Sequence, residues 1–314
     1  MNAWMFPGQG SQRLGMGADL ETEPARQVFE AASEVLGWDV RRTCLEGPEE
    51  RLNSTEVTQP AVFTVGVAVA RTLEAFDVQP DMVAGHSVGE FTALVAAGVL
   101  TFEDGLRSVA LRAEAMRRAG RRHPGGMAAV MGMVPQRLEE ICAEADGIVG
   151  PANFNAPQQI VISGENDALA GVAAAAKAEG ARVIRLKVSV AAHSALMRPA
   201  RDELAAALQH VSTKGPRVPV VSGVDGRVHE DAAELLRLLV EGVTRPVRWV
   251  ECVETMAANG AGRFVETGPG EVLSGLVKRI VPGAQLAQVG DDTAAESLAK
   301  ELAAVGGGAD GHRV

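Results

Sequence analysis

The segment Met82-Val83-Ala84-Gly85-His86-Ser87-Val88-Gly89-Glu90 runs from a short apolar strand into a glycine-flanked serine and on into residues 90–97, whose composition is helical. Gly98 is placed to stop that helix in the left-handed conformation. A strand that turns sharply into a helix is the repeating unit of an α/β fold, and the pattern G-x-S-x-G exposes the serine oxygen at such a turn. The helix start also leaves backbone N–H groups free where an oxyanion would form. A glycine-rich turn without chemistry fits the same three fixed positions; the strand before and the helix after favour a nucleophile at Ser87.

Working outward, residues 3–6 read as a strand that enters the loop Pro7-Gly8-Gln9-Gly10-Ser11-Gln12. Thr101, with Asp104 three residues on, starts a helix whose apolar face carries Phe102, Leu106, Val109, Ala113 and Met116. The run Arg117-Arg118-Ala119-Gly120-Arg121-Arg122-His123-Pro124-Gly125-Gly126 breaks the pattern and suggests a boundary. Beyond it, residues 127–133, 135–145, 159–163, 167–180 and 182–188 alternate as β-α-β-α-β, a small α+β subdomain inserted into a larger one. The glycine-rich tail 306–314 is expected to be disordered.

The 314 residues are 46% hydrophobic and 22% charged, ordinary for a globular chain with a sizeable core. No leader pattern and no apolar run long enough to span a bilayer is found, so the expectation is a soluble cytoplasmic protein. Cys44, Cys142 and Cys252 are too scattered for a disulfide framework or a zinc site and read as small buried hydrophobes. The net charge of −10 opposes nucleic-acid binding, and an acidic partner would need a local basic patch.

A serine hydroxyl needs a base. Of six histidines, His210 lies near the end of a helix-like stretch, His229 in a polar loop, His312 in the tail and His123 in the basic run, while His86 is expected to turn away. His193 follows the strand-like residues 183–188 and precedes a helix, at a strand end where α/β sheets place their sites; a satisfied loop histidine is the other reading. The order of residues disfavours a plain esterase, since His193 is far from the C-terminus and no H-G-G-G loop exists. A nucleotide-binding loop at Gly8-Gln9-Gly10 fails because Arg13 replaces the third glycine.

Phe6-Pro7-Gly8-Gln9-Gly10-Ser11-Gln12, Gly85-His86-Ser87-Val88-Gly89-Glu90, Asn153-Phe154-Asn155-Ala156-Pro157, His193-Ser194-Ala195-Leu196-Met197, Pro246-Val247-Arg248-Trp249 and Glu266-Thr267-Gly268-Pro269-Gly270 together resemble the malonyl-CoA:acyl carrier protein transacylases in order and spacing. The resemblance implies an α/β-hydrolase-like large subdomain with a parallel sheet (residues 1–122 and 190–305) and an inserted ferredoxin-like subdomain (123–189). It implies Ser87 as nucleophile, His193 as base, and the backbone amides of Gln9 and Val88 as oxyanion hole. It places a backbone carbonyl at Gly242 behind the histidine, in place of a carboxylate. Arg112, which by position alone would more often be a surface ion pair, becomes the clamp for a malonyl carboxylate, because a planar guanidinium donates two parallel hydrogen bonds.

Asn153 and Asn155, turn residues by local reading, become groups near the site. Malonyl-CoA and an acyl carrier protein are the implied substrates, with no cofactor, no metal, no membrane and a monomeric enzyme. Arg117, Arg118, Arg121, Arg122, Lys278 and Arg279 are candidates for carrier docking, or else a solvated charged face. Ala192 before His193 leaves room for a branched malonyl unit, and an acyl-thioester hydrolase is the rival activity.

Overall fold

The computed structural model describes residues 1–188 and 190–307. Among these, ten strands form two sheets: β1 (Asn2–Phe6), β2 (Met82–Gly85), β3 (Gly125–Met131), β4 (Val149–Ala156), β5 (Gln159–Glu165), β6 (Arg182–Arg185), β7 (Val220–Val221), β8 (Val228–His229), β9 (Arg263–Thr267) and β10 (Gln285–Val289). The larger sheet has the order β10-β9-β1-β2-β7-β8 and is parallel except for the β7–β8 hairpin at its edge.

Side chains of successive strand residues point to opposite faces, and this alternation splits the core in two. Trp4, Phe6, Val83, Val220 and Val265 pack on one side beneath helices Thr55–Ala75, Gly89–Ala96 and Phe102–Arg122. Ala3, Met5, Met82, Ala84, Val221 and Phe264 pack on the other, beneath helices Trp249–Ala258 and Val272–Ile280. A sheet covered on both faces explains why its central strands β1 and β2 are nearly continuous apolar runs. Helix Thr55–Ala75 is buried over most of its length and tolerates Pro60 near its start; Thr64 Oγ1 donates to the Pro60 carbonyl at 2.8 Å.

The smaller sheet, β4-β5-β3-β6, is antiparallel throughout. Its chain order is β-α-β-β-α-β, the ferredoxin-like arrangement, with helices Pro135–Glu144 and Asn166–Ala178 packed on its apolar face. The sequence reading of β-α-β-α-β lacked β4. That strand contains Pro151 and two register shifts against β5, which erase the apolar alternation by which strands are recognised. Asn153 and Asn155 therefore sit in a strand, not a turn.

Three further expectations change. β6 stops at Arg185, so His193 lies beyond an edge strand of the small sheet and not at the end of a parallel strand. His229 is in β8, where its ring faces the Asp225 carboxylate at 3.1 Å, because the short hairpin folds it back over the turn. The last helix, Asp292–Gly307, carries helical hydrogen bonding through the first two residues of the expected tail; residues 308–314 lie outside the described residues.

The two sheets are joined by backbone. The Phe154 amide donates to the Val247 carbonyl and the Val247 amide to the Ala152 carbonyl, both at 2.8 Å, so β4 holds Val247 of the large subdomain directly. Local crowding fixes the strand-to-helix turn as well. A Cβ on Gly89 would lie 2.1 Å from the Phe6 carbonyl oxygen, whereas one on Gly150 would meet nothing within 4 Å. Gly89→Ala should therefore lose roughly 1–3 kcal/mol or more by overpacking. Gly150→Ala should stay within about 0.5 kcal/mol of the parent. Urea unfolding of the two variants side by side measures the difference, and equal stabilities would contradict the crowding at the turn.

Candidate active site

Ser87 occupies the turn between β2 and helix Gly89–Ala96 with φ 55°, a left-handed conformation that a non-glycine residue adopts only when its surroundings enforce it. The enforcement comes from contact. Gly8 in the loop after β1 lies so close to the turn that a Cβ there would be 2.4 Å from the His86 carbonyl oxygen. Gln9 follows Gly8 in that loop and lines the same cleft as Ser87, and Val88 follows Ser87 in the turn. Among the described residues neither amide donates a hydrogen bond within the chain. Two free donors next to a nucleophile are what a developing oxyanion requires.

His193 is also left-handed, φ 60°, in a turn tied by Ser194 Oγ donating to the Ala191 carbonyl at 2.7 Å. Its Nε2 lies 2.9 Å from Ser87 Oγ. Its Nδ1 faces the carbonyl oxygens of Gly242 at 2.7 Å and Arg245 at 3.1 Å. Carbonyls only accept, so Nδ1 carries the proton and Nε2 presents its lone pair to the serine hydroxyl. Burial, and then the positive charge of Arg112, depress the imidazole pKa to about 3, leaving the ring neutral and able to accept a proton.

Arg112 projects from helix Phe102–Arg122 into the interior, 3% exposed. Its Nη2 donates to Ser87 Oγ at 3.1 Å, its Nη1 donates to Gln59 Oε1, and its guanidinium lies 5.9 Å from the centre of the Phe91 ring. Burial pulls its pKa down to about 10, so it stays charged at neutral pH. No carboxylate comes within ion-pair distance of it among the described residues. A buried cation without an anion is a site prepared for an anionic ligand.

These groups line a cleft of about 190 Å³ between the two subdomains, together with Asn153, Asn155, Met127, Val161, Ala192 and Leu276. His86, expected to turn away, lines it too and donates from Nε2 to Asn155 Oδ1 at 2.8 Å. The sequence reading missed Gln59, His86, Glu90 and the Arg245 carbonyl. Gln59 and the carbonyl carry no sequence signal, since burial and backbone direction decide their roles. Glu90 could have been noticed as an acid inside an apolar helix.

Among the described residues no three His, Cys, Asp or Glu side chains cluster as metal ligands. No helix there is long and apolar enough to cross a membrane. Burial raises the Cys44 and Cys142 thiols to about 12 and about 11, so neither competes as a nucleophile at neutral pH. Of the proposed docking cations, Arg117 and Arg118 are already paired with Glu114, and Arg118 with Glu203. Arg121, Arg122, Lys278 and Arg279 are exposed.

The acyl transferase domain model matches residues 3–302. The chain is 44% identical to the malonyl CoA-acyl carrier protein transacylase of Salmonella typhimurium over 285 residues, which are 89% of this chain and 92% of that protein. The chain belongs to this acyl transferase family. Within the family, the malonyl CoA-acyl carrier protein transacylase of Coxiella burnetii superposes with a TM-score of 0.93 at 39% identity, covering 96% of this chain and 97% of the other. A malonyl-transacylase solved in complex with a type II polyketide acyl-carrier protein superposes at 0.92 with 42% identity, covering 96% and 99%.

The depressed pKa leaves Nε2 free to accept a proton well below neutrality. In an NMR titration the His193 ring should remain neutral from pH 8 to pH 5; protonation near 6.5 would contradict the buried, cation-flanked environment.

Proposed function

We propose that the chain moves a malonyl group from CoA to the phosphopantetheine thiol of an acyl carrier protein, through an ester on Ser87. The observation that carries the proposal is Arg112, a buried guanidinium with no acid partner, donating to the nucleophile's own oxygen. A diacid thioester would place its free carboxylate on that guanidinium and its carbonyl carbon at Ser87. The identity to malonyl CoA-acyl carrier protein transacylases supports the same reading.

In the first half-reaction Ser87 Oγ attacks the thioester carbonyl while His193 Nε2 takes the hydroxyl proton. The carbonyl oxygen gains charge facing the Gln9 and Val88 amides. The tetrahedral adduct collapses, the C–S bond breaks, and the imidazolium returns the proton to the leaving thiolate. In the second half-reaction the carrier's thiol gives its proton to His193, attacks the ester carbonyl, and Ser87 recovers the proton. The Gly242 and Arg245 carbonyls stabilise the imidazolium in both steps, the role that a carboxylate takes in a triad. Arg121, Arg122, Lys278 and Arg279 offer exposed positive charge to an acidic carrier, whereas Arg117 and Arg118 are already neutralised by acids.

Intact-mass analysis after mixing with malonyl-CoA should show a malonyl adduct on the parent chain and none on Ser87→Ala. Replacing Arg112 by Ala should lower the preference for malonyl-CoA over acetyl-CoA by roughly 10²-fold or more, because the parent site leaves a buried cation unpaired beneath an acetyl group. Unchanged selectivity would remove Arg112 as the clamp. Reversing Arg121, Arg122, Lys278 and Arg279 together should raise KM for the carrier several-fold at low salt without changing hydrolysis of malonyl-CoA in its absence. An unaltered KM would move the docking surface elsewhere.

A further inference from the structure

Glu90 is 5% exposed in the first turn of helix Gly89–Ala96, three residues after the nucleophile, and the transfer chemistry gives it no part. No cation lies within ion-pair distance of it among the described residues. Instead Ser222 Oγ donates to Oε1 at 2.6 Å, and Gly223 packs against Oε2, its amide favouring the ionised form. Ser222 and Gly223 open the turn that follows β7, and this turn is bound on every side. The Gly226 amide donates to the Ser222 carbonyl at 2.9 Å, the Arg248 amide to the Gly223 carbonyl at 2.7 Å, and Cys252 Sγ to the Ser222 carbonyl at 3.3 Å. Val224, the next residue, packs against Gly242, where an added Cβ would lie 3.3 Å from its methyl group. Gly242 supplies the carbonyl nearest to His193 Nδ1.

We infer that Glu90 is a positioning residue for the Ser87–His193 pair: as a carboxylate it pins the 222–224 turn to the nucleophile's helix and, through Val224 and Gly242, holds the carbonyl that orients the imidazole. The contacts close a ring from Ser87 through Glu90, the turn, Gly242 and His193 back to Ser87. A carboxylate suits the position because both of its oxygens accept. A protonated acid or an amide keeps one acceptor and turns a donor toward the other contact.

The charged and titratable groups around Glu90 are Arg112 on helix Phe102–Arg122, His193 and Arg245, which line the same small pocket, Asp225 in the turn with His229 beside it, and Cys252 on helix Trp249–Ala258. Burial dominates and raises the Glu90 pKa to about 7, with Ser222 and Gly223 opposing the rise. The carboxylate, and with it the oriented pair, is therefore present above that value and lost as pH falls through it.

The inference rests on Ser87 and His193 being the reacting pair, so the test reads that pair directly through the rate at which a fluorophosphonate labels Ser87 between pH 5.5 and 8.5. The parent rate should rise through about pH 7. Glu90→Gln should label roughly 10- to 100-fold more slowly at pH 8 and lack the rise. Ser222→Ala should keep the rise but shift its midpoint to higher pH, since a donor to the carboxylate is gone. KM for malonyl-CoA should stay within about 2-fold in both, because neither side chain touches the acyl group. A folded Glu90→Gln with the parent's rate and profile would overturn the inference, as would an unmoved midpoint in Ser222→Ala, which also decides the matter if Glu90→Gln does not fold. A parent that labels as expected but transfers no malonyl group would overturn the transfer reading and leave this one standing.

Discussion

Placing a guanidinium out of water with no carboxylate within ion-pair distance, Glu90 acting on it only from further off, costs the folded state several kcal/mol, and much of the site is arranged around bearing that cost at Arg112. Gln59 Oε1 and Ser87 Oγ accept its protons and the Phe91 ring lies nearby, so its donors are partly satisfied while its charge is not. The same charge, added to burial, keeps His193 neutral. One cation is thus both the charge offered to an anionic group in the cleft and part of what keeps the His193 ring neutral.

Backbone, more than side chains, sets the geometry. Ser87 and His193 both adopt positive φ; the Ser87 turn persists because glycines at positions 8 and 89 let neighbouring strands and loops approach within distances that a Cβ would forbid, and the His193 turn is tied by Ser194 Oγ to the Ala191 carbonyl. The acceptors behind the imidazole are likewise peptide groups, the carbonyls of Gly242 and Arg245. Such groups are rigid and cost little reorganisation during reaction.

The cleft exists because two sheets of different kinds meet. β4 bonds by backbone to Val247, and this contact brings Asn153 and Asn155 into the lining of the cleft while holding the chain two residues after the Arg245 carbonyl that faces His193. The small subdomain is in this sense a support for the large one's active residues as well as a wall of the acyl pocket.

The alternation of strands and helices, the inserted position of the small subdomain and the serine turn were all legible in the sequence, because periodicity and turn chemistry are local properties that neighbouring residues reveal. The motifs at 6–12, 85–90 and 193–197 marked which turns matter. β4 was hidden, since a proline and two register shifts disrupt the pattern that betrays a strand. Arg112 read locally as a surface charge, and Glu90 received no role at all. Only the tertiary structure decided that both are buried, which acceptors face His193, and that His86 joins the cleft. Each of those facts depends on residues far apart in the chain being brought within a few ångströms, and burial and electrostatic environment follow from that convergence, not from the identity of the adjacent residues.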